Sequence, residues 1–175
     1  MTSNWPPEKI TTAVCLSVLP VFIGMAMSMI WPPGEWFKSL NKPAWNPPTW
    51  VYMIVWAILY PLLGISMTMA CFGQPNGASW VLPAINIAFS LLFIPIVFGM
   101  HSLFAGFLLT FLCLIFGAGI LWEYSALQQY VSSGLMVPYI VWMLFASYLA
   151  FAFYRLNPTN GYAPKKRVRY SRRSS

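Results

Sequence analysis

From Pro43 through Trp122 the chain contains no Lys, Arg, Asp or Glu, a run of 80 residues in a protein of 175. Two further charge-free stretches flank it, Ile10 to Gly34 and Tyr124 to Tyr154. A soluble domain covers its surface with charged side chains, about a quarter of its residues. Here only 7% are charged and 59% are hydrophobic. That composition argues against a water-soluble enzyme, a nucleic-acid-binding domain and a secreted disulfide scaffold. It predicts an all-α integral membrane protein.

A membrane-spanning helix needs about 20 mostly apolar residues, so the long run must be cut into three. Turn chemistry places the cuts. Gly73-Gln74-Pro75-Asn76-Gly77 is a strong turn cluster and Gly99-Met100-His101-Ser102 a weaker one. The spans then read 10–31, 48–72, 80–98, 103–126 and 134–156, a five-helix transmembrane domain over residues 1–157. Helices are required because only helices and closed barrels satisfy their backbone in lipid, and no alternating ten-residue pattern is present. Pro20, Pro61 and Pro95 fall inside spans and predict kinks. The first apolar stretch is too long for a removable signal peptide and lacks a cleavage motif.

Charge sets the expected orientation. Six of the ten basic residues, Lys165, Lys166, Arg167, Arg169, Arg172 and Arg173, crowd the last eleven positions. The net charge of +7 is therefore a tail property and no nucleic-acid signal. The tail, 158–175, reads as cytosolic, either fixing topology, engaging anionic headgroups or carrying a sorting signal. With five spans, Lys38, Lys42 and Arg155 share its side and only Lys9 lies opposite. The N-terminus is then outside and the C-terminus cytosolic.

Little material for classical catalysis is present. Glu8, Glu35 and Glu123 are the only acids and His101 the only histidine. No carboxylate pair, Ser-His-Asp set or phosphate-cradling loop can be assembled. Cys15, Cys71 and Cys113 lie in separate apolar stretches and read as small hydrophobes, so no metal site, disulfide or cofactor is expected. The lack of an ionisable residue deep in the spans counts against an ion-coupled carrier.

The aromatic pattern is more informative. The first loop, Trp36 to Trp50, is stiff and partly extended by its prolines, and suits either a lid over a cavity or an interfacial anchor. Tyr52, Trp56 and Tyr60 form one stripe on the second span at i, i+4 and i+8. Asn86 and Ser90 share a face of the third, and Tyr139, Trp142, Ala146 and Leu149 a face of the fifth. These side chains either fill a bundle core or line an apolar pocket with few polar groups.

Trp36-Phe37-x-x-Leu40-x-Lys42-Pro43-x-Trp45-x-Pro47-Pro48-x-Trp50, followed by Trp56 and Leu59-Tyr60, resembles the signature of the translocator protein family, the tryptophan-rich sensory proteins or peripheral benzodiazepine receptors. Asn86-x-x-Phe89-Ser90 and Pro138-Tyr139-x-x-Trp142-x-x-Phe145-Ala146-x-x-Leu149 are similar to motifs of its third and fifth helices. The resemblance covers residues 14 to 157. It implies a five-helix bundle with a ligand cavity open toward the first loop, binding protoporphyrin IX or other tetrapyrroles, and cholesterol. Carried over by position, the lining is Trp36, Phe37, Trp50, Trp56, Tyr60, Asn86, Phe89, Ser90, Trp142, Ala146 and Leu149. Trp56 and Trp142 match the tryptophans implicated in light-dependent porphyrin breakdown in bacterial members. A receptor or transport protein is the leading reading, a photo-oxidative porphyrin-degrading enzyme the second, and a membrane scaffold the third. The resemblance further implies a homodimer, through small residues such as Ala84 and Ala88, and residence in the mitochondrial outer membrane or, in a bacterium, the cell envelope.

The sequence departs from the family pattern in places. Phe89 replaces a Trp, Ala150 stands where many members have Asn, and Leu108 where many have Asp. The sterol pattern L/V-x(1–5)-Y-x(1–5)-K/R fails at the end of the fifth helix, because six residues separate Tyr148 from Arg155. It is met by Val168-Arg169-Tyr170-Ser171-Arg172 in the polar tail, which shows how weak the pattern is.

Overall fold

The computed structural model describes residues 5–73 and 77–159, with the side chains of 77 and 78 excepted. The basic tail from 165, the tail's sterol pattern and the centre of the Gly73–Gly77 turn cluster lie outside the described residues. Five helices are long and apolar enough to cross a membrane. They are α1 (Pro7–Ile30), α3 (Thr49–Gly73), α4 (Gly77–Ile94), α5 (Leu103–Ala126) and α6 (Tyr130–Leu156), with a single-turn helix α2 (Glu35–Ser39) in the first loop. The chain is an integral membrane protein. Each expected span is found, the last starting four residues earlier than read from the sequence.

The ends of these helices follow from local chemistry. Pro7 opens α1 at a first-turn position, where its missing N–H costs no bond. Ser102 caps α5, its Oγ accepting from the Ala105 N–H at 3.4 Å. Within the spans, hydroxyls return to their own helix, as Thr68 Oγ1 does to the Gly64 carbonyl at 2.7 Å. The expected disturbance at Pro95 takes a definite form. The helix widens into a π turn over Pro95–Gly99, and the Met100 N–H closes on the Pro95 carbonyl at 3.0 Å.

The spans close into a ring, α1 against α3, α3 against α6, α6 against α5, α5 against α4, and α4 back against α1. Close approach is made possible by small residues. A Cβ on Gly64 would lie 2.5 Å from the Ser17 nitrogen and 2.6 Å from the Leu16 carbonyl carbon, so α1 and α3 meet backbone to side there. Gly117 lets α5 approach α6, since a Cβ would lie 2.9 Å from the Tyr139 ring and from Ile140 Cδ1. Large apolar side chains such as Phe22, Met53 and Val141 point outward, while Ser66, Thr68 and Ser132 are fully buried. That distribution suits a bundle whose solvent is lipid.

The two ends are built differently. Away from the tail, Ser79 Oγ donates to Glu123 Oε1 at 3.1 Å and Tyr124 Oη to the Ser79 carbonyl at 3.2 Å, fastening α4 to α5. At the tail end, Asn157 is 4% exposed and clasps the first loop. Its Oδ1 accepts from the Asn41 N–H at 2.9 Å and its Nδ2 donates to the Asn41 carbonyl at 3.0 Å. Asn157→Ala removes both bonds, worth about 1.5 kcal/mol together. Trypsin cleavage after Lys38 in the intact membrane protein is expected to rise about tenfold; an unchanged rate would show that the loop is held elsewhere.

Candidate functional site

The aromatic residues singled out in the sequence fall into two layers. The inner layer sits among α3, α4, α5 and α6. Trp56 stacks on Tyr60 with ring centroids 4.9 Å apart. Ser90 Oγ donates to the Ile87 carbonyl at 2.8 Å, so the 3.1 Å contact between Tyr60 Oη and Ser90 Oγ is a bond donated by the tyrosine. Asn86, 1% exposed, donates through Nδ2 to the Cys113 carbonyl at 2.9 Å and accepts at Oδ1 from Tyr139 Oη. The Asn in the third span thus points inward, as polar groups in lipid must. Phe89 packs edge-on against Phe116 at 5.6 Å.

Trp142 borders this layer and meets Tyr52 edge-on at 5.9 Å and Phe145 at 5.4 Å. Its Nε1 is buried and has no acceptor. A buried N–H without a partner costs about 1–3 kcal/mol.

The outer layer closes the tail end. Leu40, Leu103, Leu149 and Phe153 form a buried cluster, with Trp36, Phe37, Tyr52, Phe145 and Tyr154 packed around it. Trp36 stacks on His101 at 4.3 Å, and Phe37 lies 5.4 Å from Phe98 and 5.6 Å from Phe153. The expected opening toward the first loop is therefore covered. Turn α2 carries Trp36 and Phe37, whose rings pack on His101, Phe98 and Phe153 across this end of the bundle. Trp36 and Phe37 are docked, whereas Trp45 and Trp50 are 40% and 58% exposed.

The structure thus brings Trp56, Tyr60, Asn86, Phe89, Ser90 and Trp142 together. Trp36, Phe37 and Leu149 belong to the outer layer, and Ala146 is half-buried one turn on from Trp142. Trp50 joins neither layer. Tyr139, fully buried and central to the inner one, reads from the sequence only as part of a stripe. The inner layer holds no Lys, Arg, Asp, Glu or His. It can stack, present indole and phenol donors, and exclude water.

A recess of about 750 Å³ opens sideways between α3 and α6, walled by Val55 and Ile58, by Val141, Trp142 and Phe145, and by Pro47. Trp142 is the wall it shares with the inner layer.

The model of the TspO/MBR family matches residues 12–155. The chain belongs to the TspO/MBR family. This TspO/MBR protein is 36% identical over 141 residues to Protein CrtK of Rhodobacter capsulatus, covering 76% of this chain and 85% of that one. It is 33% identical over 125 residues to a tryptophan-rich sensory protein of Cereibacter sphaeroides, covering 71% and 78%. It is 28% identical over 129 residues to the human translocator protein, covering 70% and 75%. The resemblance read from the first-loop signature is borne out at the level of the family.

Asn86 joins three helices of this TspO/MBR protein, so Asn86→Ala is expected to cost about 1–2 kcal/mol, near the upper range for hydrogen bonds between membrane helices. Unfolding in sodium dodecyl sulfate should shift accordingly, and Tyr139→Phe should shift it by less. Equal effects would mean that the Cys113 bond contributes nothing.

Proposed function

We propose that this TspO/MBR protein is a membrane receptor or carrier that binds flat hydrophobic tetrapyrroles, protoporphyrin IX among them, and sterols second, against the inner aromatic layer. The observation that carries this reading is Trp142, an indole with an unanswered N–H standing between the lateral recess and the Trp56–Tyr60–Tyr139 group. A macrocycle offers large π surface to the rings and a peripheral carboxylate or pyrrole nitrogen to the N–H. The inner side chains touch one another, so the ligand enters from the lipid side as Trp142 turns. The names of the relatives, a sensory protein and a translocator, support a receptor or transport role over a scaffold. The same indoles favour a second reading, oxidative breakdown of the bound porphyrin in light. The compartment follows the host: mitochondrial outer membrane in a eukaryote, cell envelope in a bacterium.

The test is a titration of the full chain in neutral detergent with protoporphyrin IX in darkness, followed by tryptophan fluorescence. Saturable quenching at micromolar porphyrin is expected. Linear, non-saturating quenching, equal to that of an unrelated tryptophan-containing membrane protein, would overturn the proposal.

A further inference from the structure

A second recess, about 320 Å³, lies at the tail end between Pro43 and Trp45 of the first loop and Tyr148, Phe151 and Arg155 of α6. It lies on the same face of α6 as the lateral one. Pro138, Val141, Phe145, Tyr148, Ala152 and Arg155 follow one another at three- and four-residue steps, a single face of α6. Trp45 straddles the seam, edge-on to Phe145 at 5.8 Å and stacked on Tyr148 at 4.9 Å with a 10° interplanar angle. The outcome is a furrow along α6 made of two recesses, with Trp45 packed between them.

The furrow is apolar except at its end. Arg155, its one charged residue, is exposed and has no acidic partner among the described residues, where Lys38 with Glu35 is the one ion pair. Lys42 lies beside Pro43, its ammonium 5.1 Å from the Phe37 ring, so this end carries an excess of positive charge. A helix rises about 1.5 Å per residue, which puts Arg155 about 15 Å along α6 from Phe145. That is half of a hydrocarbon core about 30 Å thick, the depth of one leaflet.

We propose that this face of α6 holds one anionic phospholipid, its phosphate on the Arg155 guanidinium and one acyl chain running alongside Trp45 into the recess between α3 and α6. A guanidinium pairs with phosphate by directed, charge-assisted bonds. A zwitterionic lipid brings its own cation to compete, and a sterol has no charge to offer. The recess borders the inner aromatic layer at Trp142, but the phosphate contact at Arg155 lies at the far end of α6 and stands whether or not a porphyrin binds there.

The full chain in neutral detergent is titrated with dioleoyl phosphatidylglycerol or dioleoyl phosphatidylcholine, and retained lipid is counted by native mass spectrometry. One phosphatidylglycerol per chain is expected to be held five- to tenfold more tightly than phosphatidylcholine. Arg155→Gln removes that preference and Arg155→Lys keeps most of it. The basic tail is present in every variant, so a difference at position 155 belongs to the furrow. Val141→Trp and Ile58→Trp, at positions 62% and 55% exposed, fill the recess from its two walls and lower retention of both lipids. Their fold is verified by helix content and single-species elution. Preference surviving in Arg155→Gln, retention unchanged in both tryptophan variants, or displacement of the lipid by millimolar inorganic phosphate alone would each overturn the proposal.

Discussion

Replacing Trp56 and Trp142 together by phenylalanine is expected to weaken dark binding of protoporphyrin IX by about 10- to 100-fold. Trp56 presents its ring over Tyr60 and toward Tyr139, and Trp142 the one buried N–H of the layer that lacks an acceptor. Two aromatic contacts at about 0.5–1.5 kcal/mol each, with some lost area, give about 1.5–3 kcal/mol. Phenylalanine keeps most of the volume, so the bundle is expected to unfold within about 1 kcal/mol of the parent. Both single variants lose an indole N–H and ring area, and Trp142→Phe is expected to cost more because its N–H is the buried one without an acceptor. Repeating the titration in light and oxygen distinguishes receptor from enzyme. Loss of the porphyrin absorption band in the parent but not in the double variant favours breakdown; a stable band with saturable quenching favours reception. Unchanged dark affinity in the double variant would remove both indoles from the site.

Gly64→Ala is expected to be the most damaging single methyl in the protein, costing about 3 kcal/mol. The added Cβ meets the backbone of α1 at Leu16 and Ser17, and a backbone cannot rotate away as a side chain can. The α1–α3 contact must open, and with it the 3.3 Å bond from Ser17 Oγ to the Pro61 carbonyl. Gly119→Ala and Gly134→Ala are the matched comparisons, since a Cβ at either meets nothing within 4 Å. Both lie inside helices, where alanine is favoured over glycine by about 1 kcal/mol, so they are expected to be neutral or stabilising. Reversible unfolding in mixed micelles measures all three. Similar effects at the three positions would show that α1 is free to shift.

Much of the architecture is legible in the residues. The five spans follow from charge-free length and turn chemistry, and the inward stripe of Tyr52, Trp56 and Tyr60 from helical spacing. Asn86 pointing inward follows from the expense of an amide in lipid. Legibility fails where the deciding partner is remote in sequence. The Asn41–Asn157 clasp joins residues 116 positions apart, and neither asparagine carries a local mark that distinguishes it from a turn residue. Turn α2 is hidden in a proline-rich segment whose neighbours all favour extended backbone. The lateral recess was not foreseen because its walls, Ile58 and Val141, read as ordinary lipid-facing residues.

The sequence by itself determined that the chain spans a membrane five times, where each span begins and ends to within a few residues, and that Trp56, Tyr60 and Asn86 turn inward. Only the tertiary structure decided the ring order of the helices, the closing of the mouth by Trp36 and Phe37, the isolation of the Trp142 N–H and the furrow along α6. The reason is physical. In water, hydrophobicity marks the buried face of a helix, but lipid tails are as apolar as leucine. Here the inner and outer faces are both apolar, and which one meets a neighbour is settled by shape: glycines at the closest crossings, small hydroxyls between helices, and large side chains left to the bilayer.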